Sequence, residues 1–376
     1  MIRIKVDDIL KFLTVFLCVI YKILLACDVL KTNSIQIYIV IIAIFAISII
    51  IIFSKKMKKK DFYKLLIFIT FGIVTILKIV SVNYIFPILI AINFYDKDNK
   101  EESIRKLIKY FFISLSIAYL SVIILNFVGV LPSHNLIRFK SGNMIIRQSL
   151  GFSHPAFVGL YFIFIVCAYF CLNKINKLNI LITITLSFFI YKICDSRITF
   201  VCSILFVVMI LSKNNKVFLN YIKKIIPYLF IFLTFFTIGA TILFAKYKLN
   251  FIDAIFSNRL SIYNEVINNM NILRNPIGGN AVENIVLDNF YLVVFLYFGF
   301  IGYIIWALFY YISSKNLKED FILDIIQIII LVYGLADSNV IVTSINFMIS
   351  VQFLSLLYNW KPNNILENVR KGEKYG

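Results

Sequence analysis

Charge is what this 376-residue chain lacks most: Asp, Glu, Lys and Arg make up 15% of it, against about a quarter in an ordinary soluble domain. So few charges cannot cover a water-facing surface for a chain of this length, which excludes an ordinary soluble protein. The inner loops hold no glycine-rich phosphate loop, and that argues against ATP hydrolysis. The first apolar run has no small-residue cleavage site after it, so it reads as a retained span and not as a signal peptide. Six cysteines (Cys18, Cys27, Cys167, Cys171, Cys194 and Cys202) sit in or at the ends of apolar runs, where core packing is their default role. Cys167 and Cys171 share a helix face, but no His or carboxylate near them completes a metal set. No disulfide framework and no internal repeat is visible.

What the chain has is apolar sequence, 61% of its residues, in long unbroken runs such as Ile35–Phe53. A helix crosses a hydrocarbon layer of about 30 Å with about 20 such residues, and the runs lack the alternation of a lipid-facing barrel. The fold class expected is all-α: one integral membrane domain over 1–376, a polytopic helix bundle of about twelve spans. These lie near 9–27, 35–53, 64–80, 83–95, 109–128, 155–172, 178–194, 199–212, 225–245, 289–311, 321–337 and 340–359. The third and fourth are short and separated only by Ser81-Val82-Asn83, with Pro87 inside the second. They form either two spans or one hairpin that does not cross cleanly.

With the N-terminus inside, the inner segments hold 25 of the Lys and Arg residues and the outer segments 9. Short cytoplasmic loops carry this excess, so both termini are expected in the cytoplasm of a multi-pass protein. The formal net charge of +19 then belongs mostly to an inner rim facing anionic lipid. The run Lys55–Lys60 is read the same way, and no nucleic-acid partner is expected. Many Ile, Lys and Asn residues hint at an AT-rich bacterial genome, which mildly favours a Gram-positive capsule among envelope glycans.

Polar chemistry is confined to few places. Lys22 and Lys78 fall inside spans, where snorkelling or an interior-facing role is favoured over a functional charge. Two outer loops are long, 129–154 and 246–288. The first ends in Arg147-Gln148-Ser149-Leu150-Gly151-Phe152-Ser153-His154-Pro155, which supplies a forked phosphate donor, an imidazole at the membrane boundary and a helix-starting proline. An ordinary loop reads equally well there. Asp195-Ser196-Arg197-Ile198-Thr199 is a tight outer turn that sets an arginine at the bilayer rim, and Asp195 has Arg197 or Lys192 as a partner. Segment Ile252–Leu273 has a rough helical apolar period and reads as a helix on or over the membrane, with Asn258-Arg259 within it. Pro276-Ile277-Gly278-Gly279 then forces a turn. Asp288 leads into the tenth span, placed either for chemistry at the outer mouth or as a helix cap.

Taken in order, the Arg147–Pro155 string, the Asp195–Thr199 turn, Asn258-Arg259-Leu260-Ser261-Ile262-Tyr263, Pro276–Gly279 and Leu287-Asp288-Asn289-Phe290-Tyr291 resemble the Wzy-type polysaccharide repeat-unit polymerases, relatives of the O-antigen ligases. The resemblance covers most of the chain in topology and about 40 residues in motif. The ligase relatives carry a His-Asn pair where this chain has Asp288-Asn289, which tilts the likeness toward polymerase. It implies a metal-independent glycosyltransferase without cofactors, acting on a polyprenyl-diphosphate-linked oligosaccharide to build capsule, exopolysaccharide or O-antigen. Arg147, Arg197 and Arg259 would clamp the diphosphate, with Asp195 and Asn289 beside them. Asp288, or failing it His154, would take the proton of the acceptor hydroxyl. Membrane lipids, a chain-length regulator and a flippase are the implied partners. A ligase-like transferase and a repeat-unit flippase are the rival readings. Transporters of the second kind often show two similar halves with polar groups at the midplane, and neither is visible here.

Overall fold

A computed structural model describes residues 6–30, 35–54, 85–96, 99–140, 143–248, 253, 259–269, 287–317, 320–342 and 346–358. The helices are α1 (Val6–Ala26), α2 (Ile35–Ser54), α3 (Phe86–Phe94), α4 (Lys100–Phe127), α5 (Pro155–Leu172), α6 (Lys177–Cys194), α7 (Arg197–Leu211) and α8 (Lys216–Tyr247). They continue with α9 (Leu260–Asn269), α10 (Phe290–Leu317), α11 (Phe321–Tyr333), α12 (Asn339–Val342) and α13 (Phe347–Tyr358). Between α4 and α5 lies a two-stranded hairpin, β1 (Leu136–Lys140) and β2 (Asn143–Arg147). The polar residues that punctuate the apolar runs set several of the starts. Asn176 and Asn215 cap α6 and α8 through their side-chain oxygens, and Asp320 Oδ1 accepts from Ile322 N and Leu323 N at 3.0 and 3.1 Å to start α11.

Seven helices among the described residues are long and apolar enough to cross a membrane, the mark of a multi-pass membrane protein, where twelve spans were expected. They are α1, α2, α4, α5, α6, α7 with its following 3-10 turn, and α8. The expected span 64–80 lies outside the described residues, as does the lysine run at 55–60. Three other expected spans fail on length. Helices α3, α11 and α13 have 9, 13 and 12 residues, which at 1.5 Å per residue reach about 14–20 Å, short of a hydrocarbon core of about 30 Å. The tenth expected span exists as α10 but breaks at Gly299, whose φ of 65° and ψ of −169° are open only to glycine.

Burial separates centre from rim. In α5, 72% of residues are buried inside the bundle, against 22% in the best windows of α2 and α6, so α5 is the axis and those two face lipid. Ile39, Ile42, Phe189, Phe232 and Phe235 accordingly point outward from α2, α6 and α8. All six cysteines are buried and none forms a disulfide among the described residues, in line with core packing.

Two sets of contacts pin opposite ends of the bundle. At one end Lys106 meets Asp8 at 3.1 Å, and Tyr358 bonds to the backbone of Asp96. At the other, Ser153 N donates to Ala26 O at 2.7 Å, Gln148 N to Ile193 O at 3.0 Å and Phe290 N to Gly334 O at 2.9 Å. This alternation agrees with the in-and-out order of the spans, and the second end is the one read as outer. The hairpin there is a feature that the loop 129–154 did not disclose. Its register, Leu136 opposite Arg147 and Ile137 opposite Ile146, delivers Arg147 beside the end of α6.

Candidate functional site

A cavity of about 480 Å³ opens at this second end, within the size of small-ligand sites. Its lining comes from six separated parts of the chain: Arg147, then His154 with the start of α5, then Asp195 to Ile198, then Arg259, then Asp288, and lastly Ala336, Asp337 and Asn339. Six of the seven residues singled out in the sequence therefore meet in one place.

Each is held by local structure. Arg147 ends β2 and its Nε donates to Cys194 O at 3.0 Å, which anchors the guanidinium on the last turn of α6. Asp195 occupies the left-handed position that closes α6, at φ 48° and ψ 38°, and the chain then re-enters a helix at once. Arg197 is thereby the first residue of α7. A cation at a helix N-terminus opposes the helix dipole, so this placement does not serve helix stability. Its Nε lies 3.5 Å from Asp195 Oδ1, and its buried Nε and Nη2 have no hydrogen-bond partner among the described residues. Buried guanidinium nitrogens short of acceptors are costly unless something else supplies them.

The next pair is closed. Arg259 Nη1 lies 2.7 Å from Asp288 Oδ2 and also donates to Ala336 O at 3.3 Å. It stands just before α9, whose first N–H, on Leu260, is taken by Asp253 Oδ1 at 2.8 Å. Of the surface helix expected over Ile252–Leu273, Leu260–Asn269 is seen, packed on α8 through buried Leu260 and Tyr263. Asn258 and the Pro276–Gly279 turn lie outside the described residues. Asp288 thus anchors Arg259 across the mouth.

His154 is the N-cap of α5, and its Nδ1 accepts from Ala156 N at 3.1 Å. That bond needs the Nδ1 lone pair, which assigns the proton of the neutral ring to Nε2. Burial lowers its pKa, with Arg147 and Arg259 adding to the effect and Asp288 opposing it. The ring is therefore neutral near pH 7 and presents a donor to the cavity, not a base. Replacing it by Ala is expected to lower stability by about 1 kcal/mol through loss of the cap, whereas Asn keeps it. Thermal unfolding in detergent checks this, and an Asn variant as unstable as the Ala variant would contradict the capping role.

Asn289 is the one singled-out residue that does not reach the cavity. It is fully buried, donates from Nδ2 to Leu335 O at 3.1 Å and accepts from Leu292 N at 3.1 Å. It caps α10 and ties it to the turn after α11, so it shapes the site from behind.

Two lining residues carry no signal in the sequence beyond a polar break between apolar runs. Asp337 lies in the turn after α11, is 6% exposed, and accepts at Oδ1 from Asn339 N and Nδ2 at 2.8 and 3.0 Å. Burial raises its pKa to about 6; the Asn339 bonds and Lys22 oppose this, and Asp288 adds to it. Lys22 of α1 is within electrostatic reach of Asp337, so an intramembrane lysine that read as bland bears on the site.

Three guanidinium groups and three carboxylates line the cavity, and the positive ends of α5 and α7 open onto it. That suits a ligand with several anionic oxygens. No protein family, no curated protein and no solved structure matches the chain.

Proposed function

We propose that the chain is a membrane glycosyltransferase that polymerises polyprenyl-diphosphate-linked oligosaccharide repeat units at the outer face of a bacterial cytoplasmic membrane. One observation carries this reading: Arg147, Arg197 and Arg259, from three separate outer segments, converge on one cavity at one end of an apolar bundle. A lipid-borne diphosphate would enter from the surrounding bilayer and lie where these guanidinium groups meet it. Its bond to the anomeric carbon of the sugar breaks during transfer, and negative charge grows on the departing diphosphate. Fixed cations in a water-poor site stabilise that charge more than the ground state, which is the condition for acceleration. The donor glycan then passes to a hydroxyl on the terminal sugar of a second lipid-linked unit. The ordered motifs that resemble the repeat-unit polymerases support the same reading, and the bias of Lys and Arg toward one side supports both termini in the cytoplasm.

Purified full-length protein with a lipid-linked repeat unit is expected to yield a ladder of longer lipid-linked glycans. No ladder, together with passage of radiolabelled lipid-linked sugar across liposomes, would replace the reading with a flippase. Transfer to a different acceptor without chain growth would replace it with a ligase.

A further inference from the structure

Four acidic or basic groups in the cavity have the chemistry to take a proton, and three are committed elsewhere. Asp288 is ion-paired to Arg259 at 2.7 Å. Asp195 sits beside the Arg197 guanidinium and closes α6. His154 spends its Nδ1 lone pair on the α5 cap. Asp337 differs from all three. Among the described residues both of its hydrogen bonds, from Asn339 N and Nδ2, fall on Oδ1, which fixes the carboxylate and leaves Oδ2 without a donor there. No cation stands within ion-pair distance of it among the described residues. Asn339 begins α12, so the two donors belong to a helix start and hold the carboxylate at one orientation.

We infer that Asp337 is the catalytic base of this site, taking the acceptor hydroxyl's proton on Oδ2 while the three arginines hold the diphosphate. The inference rests on the polymerase reading. In the step, the acceptor oxygen forms its bond to the anomeric carbon and its proton passes to Asp337. The bond between the anomeric carbon and the diphosphate oxygen breaks, and its electron pair leaves with the polyprenyl diphosphate. Asp337 then returns the proton to water at the cavity mouth, and the carboxylate is restored without any further reactant.

The charged and titratable groups around Asp337 set how this depends on pH. Lys22 on α1 favours the carboxylate, and Asp288 ahead of α10 disfavours it. The hydroxyls of Tyr161 on α5 and Tyr333 on α11 are also within electrostatic range of it. A base must be ionised to accept a proton, so with a pKa of about 6 activity should fall as pH drops through that value.

The test uses the full-length protein in detergent, with the lipid-linked repeat unit as substrate and polyprenyl diphosphate as binding probe. Asp337→Asn is expected to slow ladder growth by about 10²- to 10⁴-fold, to abolish the acid limb, and to bind polyprenyl diphosphate as the wild type does. Asp337→Glu should recover part of the rate, and Asp288→Asn should slow the reaction yet keep the acid limb. Lys22→Met removes the cation that favours ionised Asp337, so its acid limb should move to higher pH. Growth of the ladder by Asp337→Asn at near the wild-type rate, or with the acid limb intact, overturns the inference. So does an acid limb that Lys22→Met leaves in place, which decides the matter even if Asp337→Asn does not fold. Absence of a ladder from the wild type is a separate result and overturns the polymerase reading itself.

Discussion

Arg197→Ala is expected to lower the rate of glycan transfer by about 10²- to 10³-fold, the usual loss when one preorganised donor to a developing anion is removed. Three features single this arginine out. It begins α7, where the dipole opposes a cation; its Asp195 contact is long, at 3.5 Å; and its buried Nε and Nη2 lack acceptors among the described residues. These are the properties of a donor set waiting for an anion. Arg259 differs, because Asp288 and Ala336 already hold it. Its removal also releases Asp288 as an added negative charge beside the diphosphate, so Arg259→Ala should weaken binding of polyprenyl diphosphate as well as slow transfer. Arg197→Lys should restore little, since an ammonium cannot reproduce the planar fork. The rate of ladder growth under saturating donor is the measurement. Ladders unaltered in both Arg197→Ala and Arg259→Ala would show that these side chains do not form the clamp.

The second large effect is expected far from any reacting atom, at Gly159 on α5. A methyl group there would collide with Ser196 Oγ and Thr199 Oγ1. Both are buried and linked, Ser196 Oγ to Thr199 Oγ1 at 2.7 Å and Thr199 Oγ1 to the Tyr333 hydroxyl at 3.0 Å, so the collision falls on a network joining α7 to α11. These hydroxyls sit on short side chains with no flexible end to swing away, and the start of α7 must move instead. Gly159→Ala gains about 1 kcal/mol of helix propensity but loses about 1–3 kcal/mol to overpacking, and the loss wins. Because Arg197 lies between Ser196 and Thr199, the guanidinium moves with the turn, and activity should fall further than stability does. Adding Ser196→Gly should return part of both. Thermal unfolding and ladder growth read the two effects, and a Gly159→Ala protein unchanged in either would show that the contact is not tight.

The arginines were legible because charge is rare in this chain. A cation placed between apolar runs on the sparsely basic side stands out, and Arg147, Arg197 and Arg259 do so with no structure at all. Their convergence was not legible, since nothing local in the sequence reports that residues 147, 197 and 259 share a cavity. Asp337 escaped for a different reason. Averaged over a window, hydropathy stays high from 321 to 337 despite Asp324 and Gln327, so the acid looks like the end of a span, while the backbone leaves the helix at Tyr333 and turns. The same averaging hid the short helices α3, α11 and α13, because a window average measures apolar content and not where hydrogen bonding stops. Asn289 misled in the opposite sense: a polar residue at a helix start satisfies a cap as well as it would a sugar, and only its bonds to Leu335 and Leu292 decide between them.

Because the cavity draws its lining from residues 147 to 339, no early portion of the chain can hold it. During insertion the first arginine is in place long before Asp337, and the cavity is incomplete until the turn after α11 has been made. A half-inserted protein thus lacks the complete cavity. Fragments divided in the loop after α8 should likewise be silent apart and regain transfer when made together, which ties the timing of biogenesis to the onset of chemistry.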